Sequence, residues 1–169
     1  MSKEWCAVSY FAAAFARSGG DWLGSEIDLD DVETVEEVAG AASQVESDGG
    51  LVIVLVEEED WFGVIRVEPD DEPRVYVSDA AETVRSVIGT ALLSELAEEY
   101  AQVGEEDEDE AAPPVLPAEP LGEPGVLDDL GVSADELNRL AAAIGTSPAD
   151  AVTAIAERLG CVDALEAVR

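Results

Sequence analysis

The sequence predicts an α+β fold: a mostly antiparallel sheet of about five strands with two helices, then an acidic, proline-rich linker and a small helical C-terminal module. Three observations support this prediction. Short apolar or alternating runs separated by turn residues fill much of the first half of the chain, which is typical of an antiparallel sheet. Two longer stretches carry apolar residues at helical spacing behind capping residues. The composition then changes to carboxylates and prolines before helical patterns return.

Five segments have the length and composition of β-strands. The first two are separated by Gly19-Gly20, which offers a tight turn and predicts a hairpin. The third segment, LVIVLV, is apolar at every position, and this pattern is typical of a central strand that is covered on both faces. The predicted strands span residues 8–17, 22–29, 51–56, 61–67 and 74–78.

Two helices are predicted in the same half of the chain. The first spans residues 35–45 and begins behind Thr34 and Glu37, which form a capping box. The second spans about residues 80–100, and Asp79 with Glu82 can cap its first turn. Both segments place valine, alanine, leucine or isoleucine on one helical stripe, so each is expected to cover the sheet.

Composition divides the chain into three parts. Residues 1–101 form the predicted α+β domain. Residues 102–124 contain the run EEDEDE and five of the eight prolines, so we expect a disordered linker. Residues 125–169 form a predicted helical module, in which Ser133 and Ser147 cap helices and Gly160 ends one. Because this module is short for an independent fold, a marginal separate module and docking on the main domain both remain open.

The charge balance is strongly acidic. The 169 residues include 8 Lys and Arg against 40 Asp and Glu, a formal net charge of −32, yet 47% are hydrophobic. We therefore expect a folded core with an acidic exterior. Because neutralised phosphates supply most of the affinity for nucleic acid, direct nucleic-acid binding is not expected, and anionic membranes are disfavoured for the same reason. A basic protein partner is favoured, with a simple solubilising role as the alternative.

The residues needed for several kinds of chemistry are missing. The chain has no histidine, and its two cysteines, Cys6 and Cys161, lie near opposite ends. Serine and cysteine triads and zinc sites therefore cannot be assembled, and the acidic turns lack the spacing of an EF-hand loop. We expect no enzyme activity, no catalytic residues, no metal and no cofactor.

The same residues bear on localisation. The two cysteines are interpreted as buried thiols of a reduced cytoplasm, and a disulfide that joins the two ends of the chain is the alternative. The apolar run at residues 5–16 is interpreted as a first strand rather than a signal peptide, because Lys3 and Glu4 cancel before it. No run reaches the roughly 18 apolar residues of a membrane span. The sequence therefore predicts a cytoplasmic protein.

One stretch, EEEDWFGVIRVEPDDEPRVYVSDA at residues 57–80, sets aromatic residues and arginines between carboxylates. Because Trp, Tyr and Arg dominate interface hot spots, these side chains are candidate anchors for a protein partner. The alternative is that the aromatic rings are sheet core and the arginines neutralise nearby carboxylates. The candidate partner-binding residues are Trp61, Phe62, Arg66, Arg74, Tyr76 and Asp79.

Three blocks connect the chain to a known family. They read E-x-x-x-W-F-G-V-x-R-V, D-x-P-R-V-Y-V-S-D-A and A-E-R-L-G-C, and they are specific in combination. In these blocks the chain resembles the tRNA adenosine deaminase-associated proteins of actinobacteria. The resemblance implies an accessory protein of tRNA editing, with a tRNA adenosine deaminase as possible partner, and it supplies no catalytic residues. Zinc deaminases use H-x-E and P-C-x-x-C motifs, which this chain lacks. The alternative is an acidic scaffold or interaction module for an unrelated protein.

Overall fold

The computed structural model describes residues 10–18, 21–27, 29, 32, 34–42, 51–58, 61–68, 71–83, 87–92, 120–142 and 147–168. The strands are β1 (Phe11–Ser18), β2 (Asp21–Glu26), β3 (Val52–Glu57), β4 (Phe62–Glu68), β5 (Asp71–Val77) and β6 (Leu121–Gly122). The helices are α1 (Val35–Ala42), α2 (Ala80–Thr83), α3 (Val87–Leu92), α4 (Ala134–Ala142), α5 (Pro148–Leu159) and α6 (Val162–Val168), with a 3-10 helix at Pro124–Leu130.

The strands form one sheet in the order β2-β1-β3-β4-β5-β6, and every neighbouring pair is antiparallel. This confirms the predicted α+β fold and the hairpin of the first two strands. The described residues contain one strand more than the about five predicted, because β6 forms within the end of the predicted linker. The two residues of β6 are too few to carry an alternating pattern, and their pairing with β5 depends on tertiary contact. Residues 102–119 of the predicted linker lie outside the described residues.

The central strand β3 is covered on both faces, as its uniform apolar composition predicted. Val52, Val54 and Val56 point to one face and belong to a core shared with α1 and α3. Ile53 and Leu55 point to the other face, because successive side chains alternate across a strand. All five side chains are buried.

The first helical layer, α1 to α3, covers one face of the sheet. The backbone N–H of Glu37 donates to Thr34 Oγ1 at 3.3 Å, so the predicted cap forms, and Val35, Val38 and Ala42 are buried. The helix predicted at residues 80–100 contains α2 and α3, and the N–H of Glu82 donates to Asp79 Oδ1 at 3.2 Å. Residues 43–45, 84–86 and 93–100 of the two predicted helices lie outside the described part.

The C-terminal segment forms a second helical layer on the opposite face of the sheet. We call the 3-10 helix together with α4, α5 and α6 the C-terminal layer. Its fully buried side chains, Val126, Leu137 and Ile155 among them, pack with Phe15 and Ile53 of the sheet. The C-terminal segment therefore docks on the sheet, which lies between two helical layers.

The helix boundaries in the C-terminal layer follow the predicted capping residues. Ser133 Oγ accepts a hydrogen bond from the N–H of Glu136 at 3.2 Å, and Ser147 Oγ accepts one from the N–H of Asp150 at 3.1 Å. At the end of α5, Gly160 adopts a left-handed conformation with φ of 90°, which a side chain would disfavour. These local signals account for where α4 and α5 begin and where α5 ends.

Candidate functional site

The two aromatic residues that precede and open β4 point to opposite faces of the sheet. Trp61 is buried beneath the first helical layer, where its Nε1 donates to Glu58 Oε1 at 3.0 Å. Phe62 is buried beneath the C-terminal layer, and its ring centroid lies 6.4 Å from that of Tyr76. The adjacent pair Trp61-Phe62 therefore does not present one aromatic surface.

Arg66 lies on β4 beneath the C-terminal layer and is the only buried arginine among the residues that the structure describes. Its Nη1 donates to Asp129 Oδ1 at 2.6 Å and its Nη2 to Asp129 Oδ2 at 3.0 Å. Nη1 also donates to the carbonyl oxygen of Val126 at 2.9 Å, and Nη2 donates to Glu68 Oε2 at 2.8 Å. The guanidinium thus joins its own strand to the 3-10 helix of the C-terminal layer.

The electrostatics of this pair agree with its geometry. The hydrogen bonds to Asp129 raise the pKa of the Arg66 guanidinium above its ordinary value, more than burial lowers it. In return, the hydrogen bonds from Arg66 lower the pKa of the Asp129 carboxyl, so the carboxylate form is favoured. The Arg66 guanidinium therefore binds carboxylates of the same chain, those of Asp129 and Glu68.

Tyr76, on the neighbouring strand β5, makes a second polar contact with the C-terminal layer. Its hydroxyl donates to Asn138 Oδ1 of α4 at 2.9 Å, while the ring is buried against the ring of Phe62. Burial raises the pKa of the Tyr76 hydroxyl above its ordinary value, so the neutral donor persists to high pH. Tyr76 therefore links α4 to the sheet, as Arg66 links the 3-10 helix to the sheet.

The remaining two candidates lie nearer to solvent. Arg74 Nη1 approaches Glu123 Oε2 at 3.8 Å, and 41% of the arginine side chain is exposed. Asp79 serves as the capping residue of α2. The structure thus brings Phe62, Arg66 and Tyr76 together beneath the C-terminal layer, with Trp61 on the opposite face. A role of these six residues in partner binding stays a prediction.

The outward surface of the C-terminal layer is predominantly acidic. Arg139 and Arg158 are exposed there, and Arg158 Nη2 pairs with Glu136 Oε2 at 2.7 Å. The exposed carboxylates of this layer are Asp128, Asp129, Asp135, Asp150, Glu157, Asp163 and Glu166. The acidic exterior that the composition predicted is therefore present on this layer.

Sequence reasoning missed a surface feature at the opposite end of the sheet, on strand β2. Leu23 is 50% exposed, although large hydrophobic side chains elsewhere in the described residues are better covered. Next to it, the Arg17 guanidinium lies 5.5 Å from the centroid of the Trp22 ring, and Trp22 Nε1 donates to the carbonyl oxygen of Leu159 at 3.1 Å. The sequence of β2, DWLGSE, is compatible with a strand, but no local pattern in it indicates that this strand lies at the edge of the sheet.

The described residues contain no group of three or more His, Cys, Asp or Glu side chains that could hold a metal ion. In the same part of the chain, every helix is too short or too polar to cross a membrane. A family model described as Rv3753c-like tRNA adenosine deaminase-associated protein matches residues 10–162. No curated protein and no solved structure matches the chain.

Proposed function

Because the chain belongs to the Rv3753c-like tRNA adenosine deaminase-associated protein family, we propose that it is a non-catalytic accessory protein that binds a tRNA adenosine deaminase in the cytoplasm. The family match is the observation that carries this proposal. It spans the sheet and reaches the first residue of α6, so it covers most of the described residues rather than one motif.

Charge supports a direct contact with such an enzyme. A protein that binds tRNA must present a basic surface, because neutralised phosphates supply much of the affinity. This chain carries a net charge of −32, and the outward surface of its C-terminal layer is rich in carboxylates. Complementary charge would steer the two proteins together and raise the association rate.

The residue inventory supports a role without catalysis. Zinc-dependent deaminases activate water with a His and Cys ligand set and a Glu, and this chain has no histidine. Cys161 is buried, and burial raises the pKa of its thiol to about 12, which keeps the thiol protonated and unreactive. The carboxylate of Asp129 is held by Arg66 in an internal ion pair and is not poised to transfer a proton.

Calorimetric titration tests the proposal. The deaminase of the same organism is titrated with this protein at low and at near-physiological salt, each with and without tRNA. An unrelated folded protein of similar negative charge serves as the control for unspecific attraction. We expect saturable binding that weakens as salt rises, which the control protein does not reproduce.

The outcome with tRNA distinguishes two modes of association. Binding that tRNA displaces means that the acidic protein occupies the RNA-binding face of the enzyme. Binding that survives tRNA means that it docks elsewhere on the enzyme. Absence of heat and of co-elution at both salt concentrations would contradict the proposal and leave an acidic interaction module for another protein as the better explanation.

A further inference from the structure

The two edges of the sheet differ in how they are protected. At one edge, β6 is 2 residues long, is flanked by Pro120 and Pro124, and contains Gly122 at φ of 110°. Short length and proline are common means of blocking the addition of another strand. At the opposite edge, β2 is 6 residues long and has no proline, and its register with β1 is unbroken from Ala13↔Glu26 to Ser18↔Asp21.

The outward backbone groups of β2 follow from this register. The N–H of Ile27 donates to the carbonyl oxygen of Ala12 at 3.0 Å, which marks a hydrogen-bonded pair. Because such pairs alternate along antiparallel strands, Trp22, Gly24 and Glu26 direct their N–H and C=O groups away from β1. No strand of the described residues lies beyond β2, so in this part of the chain these groups have no partner strand.

The side chains of β2 give this edge a chemical character. Leu23 lies near the middle of the strand and is 50% exposed. Asp21 and Glu26 are exposed at its two ends, about 17 Å apart for an extended strand. Leu23 and Asp21 point to the face of the first helical layer and Glu26 points to the opposite face, because paired positions of β1 and β2 share a face. The edge therefore offers one exposed apolar side chain and a carboxylate on each face.

We propose that the outer edge of β2 binds an extended, basic segment of the deaminase, which adds to the sheet as a further antiparallel or parallel strand. This inference rests on the proposed function. Main-chain hydrogen bonds from Trp22, Gly24 and Glu26 supply affinity in such strand addition, and Leu23 supplies a contact for an apolar side chain. Charge favours a basic segment at this edge over a second copy of this chain. Two copies, each with a net charge of −32, repel one another, whereas a basic segment is attracted to the carboxylates at the two ends of β2.

Glu26→Pro tests the hydrogen-bonding edge, and Glu26→Ala is its matched control. Proline removes an outward N–H while leaving the N–H groups that pair with β1 in place, whereas alanine removes the same charge and keeps the outward N–H. We expect the proline variant to bind the deaminase about tenfold more weakly than the alanine variant, since an incoming carbonyl loses its donor.

Leu23→Lys tests the apolar contact independently of proline. Lysine at this position repels a basic segment and removes the apolar surface, and we expect about tenfold weaker binding. Ala142→Lys is the matched control, because Ala142 is exposed at the end of α4 and this substitution changes the net charge by the same amount as Leu23→Lys. α4 packs over β5, several strands away from β2, so this control should bind like the wild type.

Amide exchange in the unsubstituted protein provides a measurement that needs no variant. The ¹⁵N-labelled protein is compared with and without saturating deaminase, and we expect slower exchange at Trp22, Gly24 and Glu26. The edge inference would be overturned if the wild type binds but exchange at these amides is unchanged and Leu23→Lys and Ala142→Lys bind with equal affinity. The proposed function would then still stand. Absence of wild-type binding at either salt would overturn both.

Discussion

Asp129→Ala is expected to lower the free energy of unfolding, because Asp129 ties the C-terminal layer to the buried arginine of β4. Charge-assisted hydrogen bonds contribute about 1.5–3 kcal/mol each when well shielded, whereas exposed ion pairs contribute less than about 1 kcal/mol. The Asp129 side chain is 64% exposed and that of Arg66 is 9% exposed, so the pair lies between these cases. Arg66 keeps Glu68 and the Val126 carbonyl as partners, so no unpaired buried charge is left. We expect a loss of about 1–2 kcal/mol.

The matched control is Asp128→Ala. Asp128 is exposed on the same 3-10 helix, and its replacement removes the same negative charge from the acidic chain. The effect of lower charge repulsion on the free energy of unfolding is therefore the same in both variants and cancels when they are compared. Urea unfolding at pH 7, followed by tryptophan fluorescence, measures both, and we expect Asp128→Ala to stay within about 0.5 kcal/mol of the wild type.

The pH dependence of the difference identifies its cause. The pKa of Asp129 in the folded protein lies below its ordinary value of about 4, because Arg66 donates to its carboxylate. A depressed folded-state pKa contributes stability above the unfolded-state pKa, and this stability is lost as pH falls through the folded-state pKa. The difference between the two variants should therefore be constant from about pH 7 to pH 5 and shrink below about pH 4. Equal stabilities at pH 7, or a difference unchanged in strong acid, would refute this reasoning.

Three further predictions concern Tyr76, two glycines and Cys161. Tyr76→Phe should lower the free energy of unfolding in urea by about 1 kcal/mol. The double variant with Asn138→Ala should lose little more, because the two substitutions remove the same hydrogen bond. Because burial raises the pKa of Tyr76, the wild type should lose stability above about pH 10, and Tyr76→Phe should lose less. Gly24→Ala should cost about 1–3 kcal/mol, since a Cβ there would lie 3.0 Å from a carbonyl oxygen of α6, whereas Gly40→Ala in α1 meets nothing within 4 Å and should gain about 0.5–1 kcal/mol. Cys161, whose pKa is raised to about 12 by burial, should be labelled by a thiol reagent at pH 8 only after urea is added, as peptide mass spectrometry would show, and rapid labelling of the folded protein would contradict this.

Features with a local cause could be predicted from the sequence. The strand LVIVLV is apolar throughout because both of its faces are covered, and neighbouring residues alone reveal this. The caps at Thr34, Ser133 and Ser147 depend on residues within one helical turn, and each forms the expected hydrogen bond.

Features that depend on distant residues could not be predicted. The sequence indicates that Arg66 is a candidate anchor or neutralises nearby carboxylates, but its partner Asp129 lies 63 positions away, among 40 acidic residues of similar local context. The edge position of β2 likewise depends on strand order, which no local pattern encodes. The pairing of β6 with β5 has the same origin, because it follows from docking of the C-terminal layer rather than from strand propensity.

The hydrogen bond from Trp22 to the carbonyl of Leu159 joins positions 137 residues apart. Such a contact limits the order in which the parts of the protein can fold during synthesis. During synthesis β1 to β5 emerge first, but their face with Phe15, Ile53 and Leu55 is not completely covered until α5 and α6 have left the ribosome. Chains dominated by such distant pairings fold slowly and expose apolar surface meanwhile. A chain interrupted before α5 would therefore leave part of this apolar sheet face exposed to chaperones and proteases.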